Sequence, residues 1–323
     1  MVRGMGMREG MLPVEDGVRV WKALVRSVLE YGAEVWGGAE WEEAERLQRQ
    51  MAKRILNCSE YTVNEVALGE LGWWRLKARR DLLRLKYWGK IVLMGDERLV
   101  KHVYQSSRSG SSDWCERTRE LLRELGLGEW WRRNTLPEGG LEEWDAELRS
   151  RIQAREQRQW KERMELKPKL RTYMQLKGAL EFEPYLRIGN AAGRAAITAL
   201  RGGTNKLRIE IGRHRITGSR GVRRLGRDER RCLLCEAEEI EDEAHFLLAC
   251  DAYERQRRDM LLVVALELKT TVEQLKEWEP LQLLRVLIGN QRNRAIHDAV
   301  ASFCAGRMAW RDKFVKRYLD FGT

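Results

Sequence analysis

The sequence predicts a mainly α-helical protein, and three observations carry that prediction. Only 5 of 323 residues are proline, so few positions break a helix. Leu, Arg, Glu and Ala are abundant, and these side chains lose little freedom in a helical turn. Apolar residues recur at i, i+3, i+4 and i+7 along several segments, the period of a helix with one buried face. At 43% hydrophobic, a chain of this length can bury a core, divided over two or three units.

Composition also excludes some classes. No apolar run approaches the roughly 20 residues that cross a bilayer. The opening "MVRGMGMREGMLPVEDG" has no apolar stretch after its basic residues, as a secretory signal would. An intracellular, reducing location (nuclear or cytoplasmic), with no membrane partner, is the expectation. The six cysteines then read as thiols or metal ligands rather than disulfides.

Taken in order, a first helical unit is expected over 1–103. Val18, Trp21, Leu24, Val25, Val28 and Leu29 share one helical face, and Asp16 is placed to cap that helix. Trp41, Ala44, Leu47, Met51 and Ile55 form a second stripe on a charged helix. Tyr31, Trp36, Trp73, Trp74 and Trp88 read as core or inter-helix anchors. Residues 104–140 are expected to be a linker with a short helix, because "YQSSRSGSSDWCERT" is serine-rich and aperiodic. Over 141–200 come long helices. Leu141, Trp144, Leu148 and Ile152 open a charged helix whose polar middle suggests an exposed or bridging helix rather than a buried one, and which Pro168 should end or kink. Helices near Glu183-Pro184 follow. A basic and cysteine-rich segment covers 201–258. The helical tail at 259–323 carries Leu281, Leu284, Val286 and Leu287, then Ile296, Val300, Phe303 and Trp310.

The formal net charge is +11, and most of it is concentrated. From Arg201 to Arg231 eleven basic residues face three acids, a local +8. Arg201, Lys206, Arg208, Arg213, Arg215, Arg220, Arg223, Arg224 and Arg227 are the candidate phosphate contacts, since clustered arginine marks a polyanion-binding surface. A solvated arginine-rich loop has the same composition.

Cys232-x-x-Cys235 is a tight knuckle, followed after nine residues by His245 and after four more by Cys250. Three thiolates and an imidazole satisfy tetrahedral Zn2+, and with all four positions filled by protein the site is structural. Chance clustering of three cysteines is the alternative. The acidic loop between them lacks the alternating Asp/Asn pattern and central glycine of a calcium loop. It pairs with nearby arginines or stays solvated. Cys58, Cys115 and Cys304 stand apart as bystanders.

Several stretches resemble the C-terminal region of non-LTR (LINE-type) retrotransposon reverse transcriptases. They are "SVLEYGAEVWG", "LQRQMAKRIL", "GELGWWRLKARRDLLRLKYWGKI", "KPKLRTYMQLK", "LRGGTNKLRIEIGRHR" and "RCLLCEAEEIEDEAHFLLACDAYERQR". The resemblance implies a thumb-like helical unit in the first third, with a CCHC zinc knuckle that grips RNA and target DNA. Polymerase chemistry needs paired aspartates. No adjacent Asp-Asp occurs in the chain, and no strand-rich palm is evident before Val18, so no enzyme activity is expected of it alone. Two other roles stay open: accessory subunit of a reverse transcriptase whose palm lies in a separate polypeptide, or a helical scaffold derived from a relic reading frame.

Overall fold

The computed structural model describes residues 12–320 except 111, 215, 219, 220 and 290; for 216–218, 221, 222 and 316–320 it describes the backbone alone. The fold is mainly α, as expected. Its one strand pair among the described residues is a short hairpin, Ile216–Gly218 against Gly221–Arg223, with Thr217 opposite Val222. The chain divides into two compact units built from non-consecutive segments.

One unit comprises Val18–Met51 and Trp73–Arg163. At its centre lies the helix Leu76–Leu93, and Trp88 on it is fully buried. The Trp88 ring stacks on Trp131 at 5.9 Å and tilts against Trp144 at 5.3 Å. Each buried indole also needs an acceptor. The Trp88 indole donates to the Tyr104 hydroxyl (3.0 Å) and that of Trp144 to the Leu85 carbonyl (3.1 Å). Gly89 lets Trp144 lie against the helix backbone, since a Cβ there would stand 2.6 Å from the indole.

Three expectations are corrected in this unit. The serine-rich stretch is not a linker over 104–118: Leu99–Ser109 and Asp113–Glu124 are helices, broken only between them. Ser106 and Ser109 face solvent while Tyr104 and Cys115 enter the core, so serine content tracked the exposed face and not a break. The helix Gly140–Glu165 is not exposed on all sides. Trp144, Leu148, Ile152, Glu156 and Trp160 are buried at four-residue intervals. One buried residue per turn is a narrow stripe that a polar average conceals. Glu156 belongs to it because Arg75 meets it at 3.0 Å. Tyr31, expected as a core or inter-helix anchor, is 86% exposed; Trp36 is 46% exposed but does join helices, meeting Trp41 at 5.5 Å and lying under the Arg80 guanidinium, while Trp73 and Trp88 are buried.

The second unit holds the residues up to Gly17, Ala52–Gly72, and Met164 onward. Asp16 lies inside the first turn of Val14–Val20 and not ahead of it, its amide donating to the Pro13 carbonyl (3.0 Å). Pro168 starts a short 3-10 turn three residues past the end of the long helix, and Lys167 before it is extended, the conformation favoured for a residue preceding proline. The core is the crossing of Ala191–Arg201 with Arg294–Asp320, alongside Glu254–Leu268. Gly193 sits where Ala301 leaves no room for a Cβ. Ile296, Val300, Phe303, Leu284 and Leu287 are buried here, while Trp310 is 39% exposed.

Candidate metal centre

Two backbone devices bring the predicted ligands together. In the first, Arg230–Cys232 pairs with Glu239–Glu241. The Cys232 amide donates to the Glu239 carbonyl (2.8 Å) and the Glu241 amide to that of Arg230 (2.9 Å). The loop reverses through Glu238, whose φ is +51°, a left-handed conformation seldom adopted outside Gly, Asn and Asp. The second device is a wide turn. The Cys250 amide donates to the His245 carbonyl (2.8 Å), an i→i+5 bond. In an α-helix the fifth residue on lies about 140° round the axis. The wider turn brings it nearly back over the first, so His245 and Cys250 face the same point. Asp242 fixes the start of that turn, accepting from the Ala244 and His245 amides at 3.0 Å each.

The donors of Cys232, Cys235, His245 and Cys250 all lie within 4.8 Å of one another. The Cys232 and Cys250 sulfurs are 3.8 Å apart, and Cys235 Sγ is 3.4 Å from His245 Nε2. Zn–S bonds of about 2.3 Å and Zn–N bonds of about 2.0 Å give tetrahedral edges of about 3.8 Å and about 3.5 Å. The four side chains therefore fit a zinc ion in size, ligand softness and number. With every position taken by protein, none is left for substrate.

The surroundings match those of metal ligands. The Glu239 carboxylate lies 2.8 Å from His245 Nδ1, which leaves Nε2 to face the sulfurs. Burial opposes charging His245, but its bonds to Cys232 and Glu239 outweigh that, and its pKa is raised. The Cys232 thiol is drawn down to about 3, chiefly by a hydrogen bond from Cys250, and that same bond pushes Cys250 up. Two sulfurs this close share one proton; a dication would replace it and hold both as thiolates. The Leu234 amide points at Cys232 Sγ (3.4 Å), and Arg257 Nη1 donates to the Cys250 carbonyl (2.8 Å).

The acidic loop does more than pair with neighbouring arginines or stay solvated. Glu241 and Glu243 are buried. Glu241 receives both guanidinium arms of Arg311 at 2.5 Å, and the Arg208 amide at 2.9 Å. Glu243 takes Arg171 at 3.0 Å, Thr172 at 3.1 Å and Asn205 at 3.2 Å. These bonds lock the knuckle to the helices behind it. The sequence offered no signal for Glu241–Arg311, because its partners are 70 residues apart.

The basic stretch sorts into several roles. Arg201 is corrected: its side chain has no exposed surface and cannot touch a phosphate. It lies between Glu70 at 3.0 Å and Glu183 at 3.2 Å, over the rings of Tyr173 and Tyr185. Lys206 pairs with Asp312 (2.5 Å), Arg213 with Glu210 (3.0 Å), and Arg223 with Glu229 through two bonds of 2.7 and 2.6 Å. Arg208 is half-buried, and burial lowers its pKa. Arg224 and Arg227 are exposed. Arg215 and Arg220 lie outside the described residues. Of the other cysteines, Cys115 and Cys304 are buried and Cys58 half-buried, all away from the cluster.

No helix among the described residues is long and apolar enough to cross a membrane. No protein-family model matches the chain, and no curated protein or solved structure matches it.

Proposed function

We propose that the chain is a non-catalytic nucleic-acid-binding module of the kind found at the C-terminus of non-LTR retrotransposon reverse transcriptases, with a structural zinc knuckle as its organising site. The observation that carries this reading is the Cys232/Cys235/His245/Cys250 cluster, four donors within 4.8 Å of one another and all from the protein. A metal without an open position builds structure and performs no reaction. What it builds here is the anchor of a strongly basic segment: Arg230 beside the knuckle donates to the Leu225 and Ile209 carbonyls, and Arg224 and Arg227 project next to them. Such side chains bind phosphate by neutralisation, with little base preference. Partners in this reading are RNA and, secondarily, DNA.

The test is anisotropy of a labelled single-stranded RNA and a duplex DNA against zinc-loaded protein across a salt series. Submicromolar binding that falls steeply with salt is expected, and Arg224→Glu with Arg227→Glu should weaken it without changing the melting temperature. No binding at low salt overturns the reading.

A second reading has its own support. Leu24, Val28, Tyr31 and Val35 are 56–86% exposed, an apolar surface of the sort that marks a protein partner. In this reading the chain is an accessory subunit whose polymerase palm belongs to another polypeptide. Copurification with a palm-bearing chain, lost on Val28→Glu, is its expected result.

A further inference from the structure

The helix Arg294–Asp320 carries a row of aromatic contacts that begins under the knuckle and ends in solvent. Phe246, in the wide turn between His245 and Cys250, meets Phe303 at 5.6 Å and Tyr253 at 5.2 Å. Tyr253 meets Trp310 at 5.9 Å, and Trp310 stacks on Phe314 at 5.4 Å with ring planes 24° apart. Phe246, Tyr253 and Phe303 are buried, while Trp310 and Phe314 are 39% and 41% exposed. The near-parallel pair therefore has its inner side braced by the core and its outer side free.

Its surroundings are cationic. From Arg307 to Arg317 the helix has five basic residues and one acid. That acid, Asp312, is taken by Lys206, and Arg311 is committed to Glu241. Arg307 and Lys313 have no ion-pair partner among the described residues. Arg307, Trp310 and Phe314 stand at i, i+3 and i+7, so they share one face.

We infer that Trp310 and Phe314 form a stacking platform for the bases of a single-stranded nucleic acid, with Arg307 and Lys313 on its phosphates. The inference rests on the nucleic-acid-binding reading and gives it a site that the arginine count did not indicate. Flat aromatic faces next to unpaired cations are the arrangement by which proteins hold single strands with little sequence preference. A duplex buries its base faces, so it cannot use the platform. An apolar protein surface is the competing occupant, but it would have to leave Arg307 and Lys313 without counter-charge, whereas a polyanion supplies it. The braced inner row fixes the rings before binding, which lowers the ordering cost.

The experiment compares three labelled probes at one salt concentration: a uridine tract of about a dozen nucleotides, within the usual range of single-strand site sizes, an abasic strand of equal charge, and a duplex. Wild-type protein should bind the uridine tract better than the abasic strand. Trp310→Ala with Phe314→Ala should reduce uridine binding about 10- to 100-fold, to the abasic level, and leave abasic binding unchanged. Zinc content and melting temperature establish that each variant is folded. If the double variant loosens the Tyr253 packing, Trp310→Leu keeps apolar bulk while losing the flat ring, and should still lose the base preference, whereas Trp310→Phe should retain it. A double variant that still prefers uridine to the abasic strand overturns the platform, leaves nucleic-acid binding intact and assigns the pair to a protein contact. Wild-type protein that binds none of the probes overturns the nucleic-acid reading itself, and the platform with it.

Discussion

The two units are stabilised by different chemistry. The unit around Leu76–Leu93 is held by stacked indoles, with Trp88 in contact with Trp131 and Trp144. The unit containing the knuckle hides charges and thiols: Arg201 against Glu70 and Glu183, Arg311 against Glu241, and four metal-type donors. Apolar packing is indifferent to pH and chelators over the physiological range. Buried ions, thiolates and imidazoles are not. The indole unit has buried ions of its own, Glu156 with Arg75 and Asp81 with Arg155, but among the described residues only the other unit gathers four metal-type donors, so the two halves should differ most toward chelators.

The largest test of that contrast removes a ligand. Cys235→Ser should abolish zinc binding and unfold Arg230 to Asp251, because metal affinity on the order of 10 kcal/mol is folding energy in small zinc modules. Tryptic cleavage at Arg230 and Arg231 should appear while the indole-packed unit stays protected. Zinc content equal to wild type would refute the ligand assignment. Next come two core changes of similar size and opposite pH behaviour. Trp144→Ala should cost about 3–5 kcal/mol, equally at pH 7 and pH 5.5. Arg201→Met should cost about 3–5 kcal/mol by stranding buried carboxylates, and mild acid should recover part of it. Burial already pushes Glu183 up; without Arg201 it rises further, so the folded state gains a proton as pH falls and the variant regains stability. Denaturant melts at both pH values separate the two.

A smaller effect concerns His297, whose pKa burial lowers to about 4. The folded state prefers the neutral ring. Its contribution is therefore full above the unfolded pKa of about 6.5 and is lost as pH falls toward 4, about 3 kcal/mol in all. His297→Gln should flatten the acid limb of the stability curve. An unchanged limb would assign acid sensitivity to the carboxylates. The smallest effect belongs to the surface: Arg223→Ala, breaking an exposed pair with Glu229, should leave the melting temperature unchanged, since such pairs contribute little.

Helix content and the clustering of Cys232, Cys235, His245 and Cys250 were legible because each leaves a local signature, a period of 3.6 in one case and fixed spacings in the other. The partners of buried charge were not legible. Arg201 looks like every other arginine in its stretch, and only the fold reveals Glu70, 131 residues earlier, beside it. The serine-rich segment misled for a related reason, since its composition reported exposure while Tyr104 and Cys115 carried the packing. Trp310 was legible as part of an apolar face but not as its solvent end, because periodicity gives a direction and no depth.

The wide turn between His245 and Cys250 sets how the knuckle can change in length. An ordinary α-turn presents its fourth residue on the same side, and this turn presents its fifth. Deleting the exposed Ala249 would let the segment tighten to an ordinary α-turn and still offer both side chains to one point. The spacer between His245 and Cys250 should therefore tolerate the loss of one residue, within the range of roughly three to five that zinc knuckles use.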